Sequence, residues 1–435
     1  MTYAEAVARL LALRGGEHAG MRPGLERIEA LLDSLGRPEQ RYRLVQVGGT
    51  NGKGSASAML ASILRSAGHR VGLYTSPHLV SFRERIRVDG AAIGEDSVVD
   101  GVEALGTLVA RLDATMFEAT TALALDHFAR EAVDVAVLEV GLGGRLDATT
   151  VGTPEVAIIT RIDLDHQAVL GSTLREIAAE KAAIIRGGVA FSAAQAPEAA
   201  RVIVDRAAAV GVPLLVEGRD LSVTVEQRGP DGQRLTCAGP GWSLAGLELV
   251  MPGAYQPSNA LLAVAAGREL GVPDAAIRSG LSRAWWPGRF QVLRRKWGFL
   301  VLDGAHNPAG ARALATSLRE VFPDSRVTFV LGILRDKDAA GIVAALAPVA
   351  ERFILVASSS PRATTPDTLR AMVPASVTRV DVAGSPIDAL ALATRTATTP
   401  VVCVAGSLSL LGDVLGYLGG RDKPCSLEQG ADRLE

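Results

Sequence analysis

The chain has 435 residues, 48% of them hydrophobic, which is enough for two or three domains with a sizeable buried core. A formal net charge of −2 gives no electrostatic reason to expect binding to nucleic acid or to an anionic membrane. Cys237, Cys403 and Cys425 lack metal-ligand spacing, and their odd number argues against a disulfide framework. Residues 1–14 predict an amphipathic helix rather than a signal peptide, and no apolar run approaches the roughly 20 residues that span a bilayer. We therefore expect a cytoplasmic protein.

A glycine-rich segment near residue 50 is the most informative part of the chain. Residues 44–47 predict a buried strand, a glycine-rich turn follows, and a helical pattern begins at Ser55. This arrangement binds phosphates because glycines let backbone N–H groups converge on an anion, and Lys53 can reach the outer phosphates. Gly54 replaces the Ser or Thr of the standard pattern, so this is a variant loop with hydroxyls at Thr50 and Ser55. The alternative is a glycine turn that only changes the direction of the chain.

The rest of the first domain mixes helical and strand patterns. Helices are predicted at residues 1–14, 25–35, 95–112, 116–131 and 260–270, and strands at 71–74, 133–140 and 156–160. A capping box at Thr173 and Glu176 opens another helix, which is predicted to stop at residues 187–188. Residues 214–250 alternate and contain a Pro-Asp-Gly turn, which predicts a small antiparallel sheet.

The last third of the chain alternates strands and helices. Strands are predicted at residues 299–302, 327–331, 353–356, 378–382 and 401–405, with a helix after each. Such alternation indicates a parallel sheet with helices on its faces. The expected fold is α/β, with an N-terminal P-loop ATPase-like domain that has a parallel sheet plus a small antiparallel sheet. A C-terminal Rossmann-like α/β domain follows, and the domains are predicted to span residues 1–295 and 298–435.

Polar residues follow several of the predicted strands. Lys53, Ser76, Glu139 and His166 each follow a separate strand, and in a parallel sheet these ends lie on one edge. Hydroxyl, carboxylate and imidazole groups together could hold Mg²⁺ or Mn²⁺. Taken singly, His166 is also compatible with an ordinary loop histidine and Glu139 with a surface carboxylate.

The second domain offers three more candidates. Asp303 and His306 follow its first strand, where the alternative is a helix cap. Arg289 is either an ordinary surface arginine or a clamp for a phosphate across the domain cleft.

Taken together, these motifs resemble those of the folylpolyglutamate synthases, including the bacterial bifunctional forms that are also dihydrofolate synthases, within the Mur-ligase-like enzymes. The matching motifs are at residues 24–27 (GLER), 49–55 (GTNGKGS), 75–78 (TSPH), 138–149 (LEVGLGGRLDAT), 164–166 (LDH), 180–182 (EKA), 286–289 (WPGR), 302–308 (LDGAHNP) and 406–408 (GSL). They cover nearly the whole chain. The resemblance also accounts for Gly54, because this family has glycine after the lysine.

The resemblance implies an ATP-dependent amide ligase, and it favours the bifunctional form. A carboxylate of dihydropteroate or of a reduced folate attacks the γ-phosphate of ATP, and the amine of L-glutamate displaces phosphate from the acyl phosphate. The implied cofactors are ATP and Mg²⁺ at two sites, with a monovalent cation as a further candidate. The partners are these small molecules alone, and a monomer is expected.

The resemblance also assigns residues. The ATP-binding residues would be Thr50, Asn51, Gly52, Lys53, Gly54, Ser55, Asn259, Arg289 and Asp303. The metal ligands would be Ser76, Glu139, His166 and Lys181, the last after carboxylation by carbon dioxide. The pterin contacts would be Leu25, Phe117, Glu118, Leu146, Asp147 and Ala148. The catalytic residues would be Lys53, Lys181 and His306, with His306 near the glutamate.

Three positions depart from the family pattern. Thr150 stands where the family often has Asn, Gln291 where it often has Glu, and Ser409 where an aromatic residue is usual. None of them lies in the phosphate or metal motifs.

Other functions fit less well. A Mur peptidoglycan ligase normally has a nucleotide-sugar-binding domain before the phosphate loop, and only 47 residues precede Gly48. A nonenzymatic nucleotide-binding regulator would be favoured by loss of Glu139, His166 or Lys181, and all three are present. A dehydrogenase is disfavoured because no G-x-G-x-x-G pattern follows Leu302.

Overall fold

The structure is a computed structural model that describes residues 1–14, 22, 24–395 and 399–419. The chain forms two compact units. Unit 1 comprises Met1–Val223, Cys237–Leu247 and Ser258–Ala284, and unit 2 comprises Thr224–Thr236, Glu248–Pro257 and Trp285–Glu435. Within the described ranges, no helix combines the length and the hydropathy needed to cross a bilayer.

The first unit is built on an eight-stranded sheet with the order β4-β3-β2-β5-β1-β6-β7-β8. Its strands are β1 (Arg43–Gly48), β2 (Val71–Tyr74), β3 (Ile86–Val88), β4 (Ala91–Ala92), β5 (Val135–Glu139), β6 (Val156–Ile159), β7 (Val189–Ser192) and β8 (Leu214–Val216). The six strands from β2 to β8 in that order are parallel, and β3 and β4 extend the sheet in antiparallel fashion. The predicted parallel sheet is confirmed.

Helices surround this sheet. Up to residue 284 they are α1 (Tyr3–Leu11), α2 (Glu26–Ser34), α3 (Lys53–Ser66), α4 (Glu95–Leu112), α5 (Met116–Arg130), α6 (Gln167–Leu170), α7 (Leu174–Ala182), α8 (Pro197–Val210), α9 (Gln256–Glu269) and α10 (Asp274–Ser282). Helices α8 and α10 were not predicted from the sequence. The capping box of Thr173 and Glu176 is present at the start of α7. The predicted end of that helix is wrong, because the amides of Ile184 and Ile185 bond to carbonyls only three residues back and close the helix at Ala182.

Two clusters of buried side chains pack on the large sheet. One contains Tyr74, Phe128 and Leu138 together with residues of α2, α4 and α5. The other contains Ala157 together with residues of α7 and α8. Leu138 and Ala157 are both register partners of Gln46 in β1, so the two clusters lie on the same face of the sheet.

A three-stranded sheet follows in the chain. It consists of β9 (Ser222–Gly229), β10 (Gly232–Gly239) and β11 (Trp242–Leu249) in the order β11-β10-β9. Two residues connect each pair of neighbouring strands, which only an antiparallel hairpin allows, so the predicted antiparallel sheet is confirmed. Its predicted extent is wrong at one end. Leu214–Val216 is a short apolar strand that pairs in parallel with β7 in the large sheet, and regular alternation begins only at Ser222.

The second unit contains a six-stranded sheet with the order β12-β13-β17-β14-β15-β16. Its strands are β12 (Gln291–Arg295), β13 (Gly298–Leu302), β14 (Val327–Leu331), β15 (Ala350–Leu355), β16 (Arg379–Val382) and β17 (Val401–Ala405). The helices are α11 (Pro308–Val321), α12 (Ala339–Leu346), α13 (Pro366–Arg370), α14 (Pro386–Arg395) and α15 (Leu408–Gly419). The predicted parallel sheet is confirmed for β13 to β17, whereas the antiparallel edge strand β12 was not predicted. The chain crosses the sheet in one direction from β13 to β16 and then returns to β17, which lies between β13 and β14. Ligands of such sheets bind at the carboxyl ends of the strands where the order reverses.

Candidate active site

The glycine-rich loop of residues 49–52 joins β1 to α3. Gly49 and Gly52 have φ angles of 136° and 99°, in the left-handed region that side chains rarely adopt. A Cβ at Gly49 would also collide with the Oγ1 of Thr160. The backbone N–H groups of residues 50 and 51 donate to the carbonyl oxygen of Arg161 at 2.9 and 3.2 Å. The loop is therefore held in one conformation at the N-terminus of a 14-residue helix, where anions are favoured.

Lys53 is the first residue of α3, two residues before the predicted start of that helix. Its Nζ folds back over the loop and donates to the carbonyl oxygens of Gly49 and Thr50 at 3.3 and 3.2 Å. The Thr50 hydroxyl donates to the carbonyl oxygen of Asp163 and accepts from its N–H, both at 3.0 Å. Ser55 is buried in the first turn of α3. The lysine charge is thus placed directly on the phosphate loop.

Asn259 reaches the same loop from α9. A Cβ at Gly52 would collide with the Oδ1 of Asn259, so only glycine permits this close approach. Asn259 is buried, and the neighbouring Ser258 donates from its hydroxyl to Glu217 at 2.6 Å. Gly52 lies between Asn51 and Lys53, and Gly54 follows in the first turn of α3. The structure therefore brings Asn259 together with the loop residues that were predicted beside it.

Ser76 and Glu139 also lie together. Glu139 is the last residue of β5, opposite Val47 of β1, and it is 5% exposed. Its Oε2 accepts the backbone N–H of Ser76 at 3.2 Å. The carboxylate of Glu139 and the hydroxyl of the serine whose backbone it binds are hard oxygen donors of the kind that Mg²⁺ prefers.

His166 and Lys181 occupy different environments. His166 lies on the loop after β6, with 46% of its side chain exposed and its Nε2 3.9 Å from the Oδ1 of Asp165. Lys181 is buried on α7, and its Nζ donates to the carbonyl oxygen of Gly49 at 2.8 Å. Burial, and next the positive charge of Lys53, lower the pKa of Lys181 to about 7. Among the described residues, no three His, Cys, Asp or Glu side chains form a ready-made metal cluster. The donors that fit Mg²⁺ and lie together are therefore oxygens of Ser76 and Glu139.

An apolar surface with two buried carboxylates contains the predicted pterin contacts. The ring of Phe117 lies 5.9 Å from that of Tyr74, and a Cβ at Gly141 would come within 2.5 Å of it. Leu25 and Ala148 belong to the same packed cluster, and Leu146 is half-buried on the adjoining loop.

Both carboxylates are engaged within the protein. The Nε of Arg27 donates to the two oxygens of Glu118 at 3.0 and 3.2 Å, and Thr115 donates from its N–H and its hydroxyl to the same group. Asp147 accepts from the N–H of Leu142 at 2.8 Å and from the N–H and the hydroxyl of Thr149 at 3.0 and 2.5 Å. Burial raises the pKa of Asp147 above its ordinary value. Through these hydrogen bonds, Glu118 and Asp147 stabilise the protein structure around this surface.

In the second unit, Asp303 directly follows β13 and is buried. Its carboxylate accepts from the Tyr255 hydroxyl at 2.7 Å and from the N–H groups of Phe290 and Ala305, both at 2.8 Å. Burial raises the pKa of Asp303. The helix-cap alternative is wrong for Asp303, because Asn307 caps α11 by accepting from the N–H of residue 310 at 2.7 Å.

Arg289 and His306 lie beside Asp303 in the same unit. A Cβ at Gly304 would lie 2.9 Å from the Nη1 of Arg289. The Nδ1 of His306 is 2.7 Å from the carbonyl oxygen of Gly304, which makes this nitrogen the donor. Arg289, Asp303 and His306 thus meet at one strand end.

Sequence reasoning missed several residues that build these sites. Tyr255 donates to Asp303, and Arg27 donates to Glu118. Against the larger effect of burial, the negative charge of Asp165 raises the pKa of Lys181. Arg27 and Asp165 carried a usable signal, since each lies in a matching motif, at residues 24–27 and 164–166.

Two family models match the chain. The Mur ligase middle domain matches residues 47–267, and the Mur ligase, glutamate ligase domain matches residues 288–408. The chain belongs to the Mur ligase family, in its folylpolyglutamate synthase branch. This Mur ligase is 36% identical over 382 residues to the folylpolyglutamate synthase of Lacticaseibacillus casei, covering 83% of this chain and 87% of that protein.

Two further relatives extend the comparison. A probable bifunctional folylpolyglutamate synthase/dihydropteroate synthase of Halobacterium salinarum is 40% identical over 423 residues. The match covers 94% of this chain but only 51% of that relative, so this Mur ligase spans about half its length. An Escherichia coli structure in complex with DHPP and ADP aligns with a TM-score of 0.88 and 32% identity, covering 97% of this chain and 98% of that one.

Proposed function

We propose that this Mur ligase uses ATP to add L-glutamate to dihydropteroate or to the glutamyl tail of a reduced folate, through an acyl phosphate. The observation that carries the proposal is the phosphate loop, where Lys53 and Lys181 both donate to the carbonyl oxygen of Gly49. The names of its relatives support the same activity, and the relatives include bifunctional synthases.

The phosphate loop performs the first half of the reaction. Residues 50–55 and Asn259 bind the phosphates of ATP, and Arg289 and Asp303 supply further ATP contacts. Phosphoryl transfer to a carboxylate depends mainly on positioning and charge neutralisation. Lys53 offsets the repulsion between the acceptor carboxylate and the γ-phosphate, because its ammonium is already held over the loop.

Ser76, Glu139 and His166 are the residues that would hold Mg²⁺. When bound, the ion would neutralise charge on the phosphate oxygens and orient them for in-line transfer. A second magnesium site at Lys181 and a monovalent cation complete the proposed cofactors.

Lys181 is suited to carboxylation by carbon dioxide. Its pKa of about 7 leaves much of the amine neutral near neutral pH, and only the neutral amine forms the new N–C bond, with release of a proton. The product is an anion that would join the metal site and lie near the ammonium of Lys53. Density beyond Nζ in a crystal grown with bicarbonate would support this step, and a plain lysine in fully active enzyme would contradict it.

The acceptor and the amino acid are assigned to different parts of the chain. Leu25, Phe117, Glu118, Leu146, Asp147 and Ala148 form the pterin site within an ATP- and pterin-binding domain of residues 1–295. His306 lies near the glutamate in a ligase domain of residues 298–435. We further propose a monomeric cytoplasmic enzyme.

The test is phosphate release from ATP with glutamate and magnesium, comparing dihydropteroate with a reduced folate monoglutamate. Release with both acceptors, matched by a gain of one glutamyl mass on each, establishes both activities. Release with the folate alone means a dedicated polyglutamylating enzyme. No release with either acceptor overturns the proposal.

A further inference from the structure

Gln46 is a buried polar residue in the middle of the large sheet. It lies in β1, is 2% exposed, and has Leu138 and Ala157 as its register partners. Central parallel strands are usually apolar, and a buried amide is costly unless its hydrogen bonds are made. The glutamine therefore needs a specific set of partners on this face of the sheet.

Those partners fix the orientation of its amide. The Nε2 donates to the hydroxyls of Thr149 and Thr150 at 3.2 and 2.8 Å. The Oε1 accepts from the Nη2 of Arg186 at 3.1 Å. A guanidinium can only donate, so the oxygen of the amide must face Arg186 and the nitrogen must face the two threonines.

The two threonines connect the amide of Gln46 to the loop of residues 141–150. The hydroxyl of Thr150 donates to the carbonyl oxygen of Gly144 at 2.6 Å, and that of Thr149 donates to Asp147 at 2.5 Å. Each hydroxyl accepts a hydrogen bond from Gln46 and donates its own proton to an acceptor in the loop. The loop carries Leu146, Asp147 and Ala148, three of the proposed pterin contacts.

Arg186 supports the same loop from the other side. Its Nη1 donates to the carbonyl oxygen of Thr150 at 3.3 Å, while its buried Nε has no hydrogen-bond partner. Within the described chain no carboxylate pairs with Arg186. Burying most of a guanidinium without a counterion costs free energy. We therefore expect its two hydrogen bonds to have a role beyond stabilising the local structure.

We propose that Gln46 and Arg186 are positioning residues that set the loop of residues 141–150 for the acceptor substrate and thereby tune its recognition. This inference rests on the proposed function. Thr150 links both residues to the loop, because its hydroxyl accepts from the amide of Gln46 and its carbonyl oxygen accepts from Arg186.

Two matched variants test the inference. Thr150→Val keeps the shape of the side chain but removes the hydroxyl, whereas Thr150→Ser keeps the hydroxyl. Loss of these hydrogen bonds should raise the KM for the acceptor about fivefold to tenfold in Thr150→Val, with the KM for ATP within about twofold. Thr150→Ser should stay close to wild type for both. Gln46→Met, which has similar volume and no amide, should behave like Thr150→Val.

Hydrogen exchange provides a readout that needs no turnover. Peptides covering residues 141–150 should exchange faster in Thr150→Val than in Thr150→Ser, while peptides of the phosphate loop should not change. Equal rises in both KM values, or an unchanged acceptor KM in folded variants with unchanged exchange, would overturn the inference. If wild-type enzyme forms no glutamylated product, the proposed function fails instead, and the exchange data alone decide whether the loop is positioned in this way.

Discussion

Replacing Lys181 with methionine should change how the stability of the protein depends on pH. Lys181 is 5% exposed, and its Nζ contacts the carbonyl oxygen of Gly49 near the ammonium of Lys53. Burial and this like charge oppose protonation, so the pKa falls from its ordinary value of 10.5 to about 7. Methionine has a similar length and cannot bind a proton.

The sign and size of the effect follow from proton linkage. Between about pH 7 and about pH 10, the unfolded chain keeps the lysine proton and the folded chain has lost it. The free energy of unfolding therefore rises with pH in this window, and below it the full penalty of a buried ammonium, about 5 kcal/mol, applies. From about pH 7 to about pH 9, wild type should gain about 2 kcal/mol relative to Lys181→Met.

The assay is urea denaturation of both proteins across that range, in metal-free buffer depleted of carbon dioxide so that the lysine stays unmodified. Other titrating groups are common to both proteins and cancel in the difference. Loss of the hydrogen bond to Gly49 adds an offset that does not depend on pH. Parallel stability curves for the two proteins would refute the reasoning, because a lysine with an ordinary pKa predicts no change in the difference below about pH 9.

Two further predictions concern the proposed site. Lys53→Ala and Glu139→Ala should each lower ligation by about 100-fold or more while leaving the circular dichroism spectrum unchanged, since Lys53 supplies positive charge at the phosphates and Glu139 would hold the Mg²⁺ that neutralises them. Normal turnover in both folded variants would remove the basis of the site assignment. Glu118→Met should lower the free energy of unfolding by about 3 kcal/mol, because the buried Nε of Arg27 loses the carboxylate to which it donates, while the exposed Glu26 still binds Nη1. The double variant Arg27→Met/Glu118→Met should recover part of that loss, and a single-variant cost below about 1 kcal/mol in urea denaturation would contradict a buried ion pair.

The sequence predicts best where local chemistry decides the structure. The strand of β2, the helix of α4 and the capping box at Thr173 depend on residues close together in the chain, and they are present as predicted. Glycine positions carry similar information, because Gly49 and Gly52 adopt φ angles that other residues rarely reach. The phosphate loop could therefore be predicted from a few consecutive residues.

The partners that support the site could not be predicted in this way. Gln46 and Arg186 meet although 140 positions separate them, and Arg27 and Glu118 are 91 positions apart. Nothing in the local sequence shows which residue each of them meets. Their pairing depends on the order of strands in the sheet, which a single sequence does not specify. The same reason explains why β8 was assigned to the wrong sheet, since its short apolar run fits either one.

Glu118 is a predicted site residue whose long-range partner changes how its role is understood. The family resemblance assigns it to the pterin site together with its neighbour Phe117. In the structure its carboxylate caps α5 through Thr115 and binds the guanidinium of Arg27. A carboxylate with these partners fixes the first turn of the helix, and that turn presents the Phe117 ring beside Tyr74. Substitution of Glu118 would therefore change the KM for the acceptor through the placement of this ring as well as through any direct contact. For this reason, the free energy of unfolding and the acceptor KM have to be measured on the same Glu118 variant.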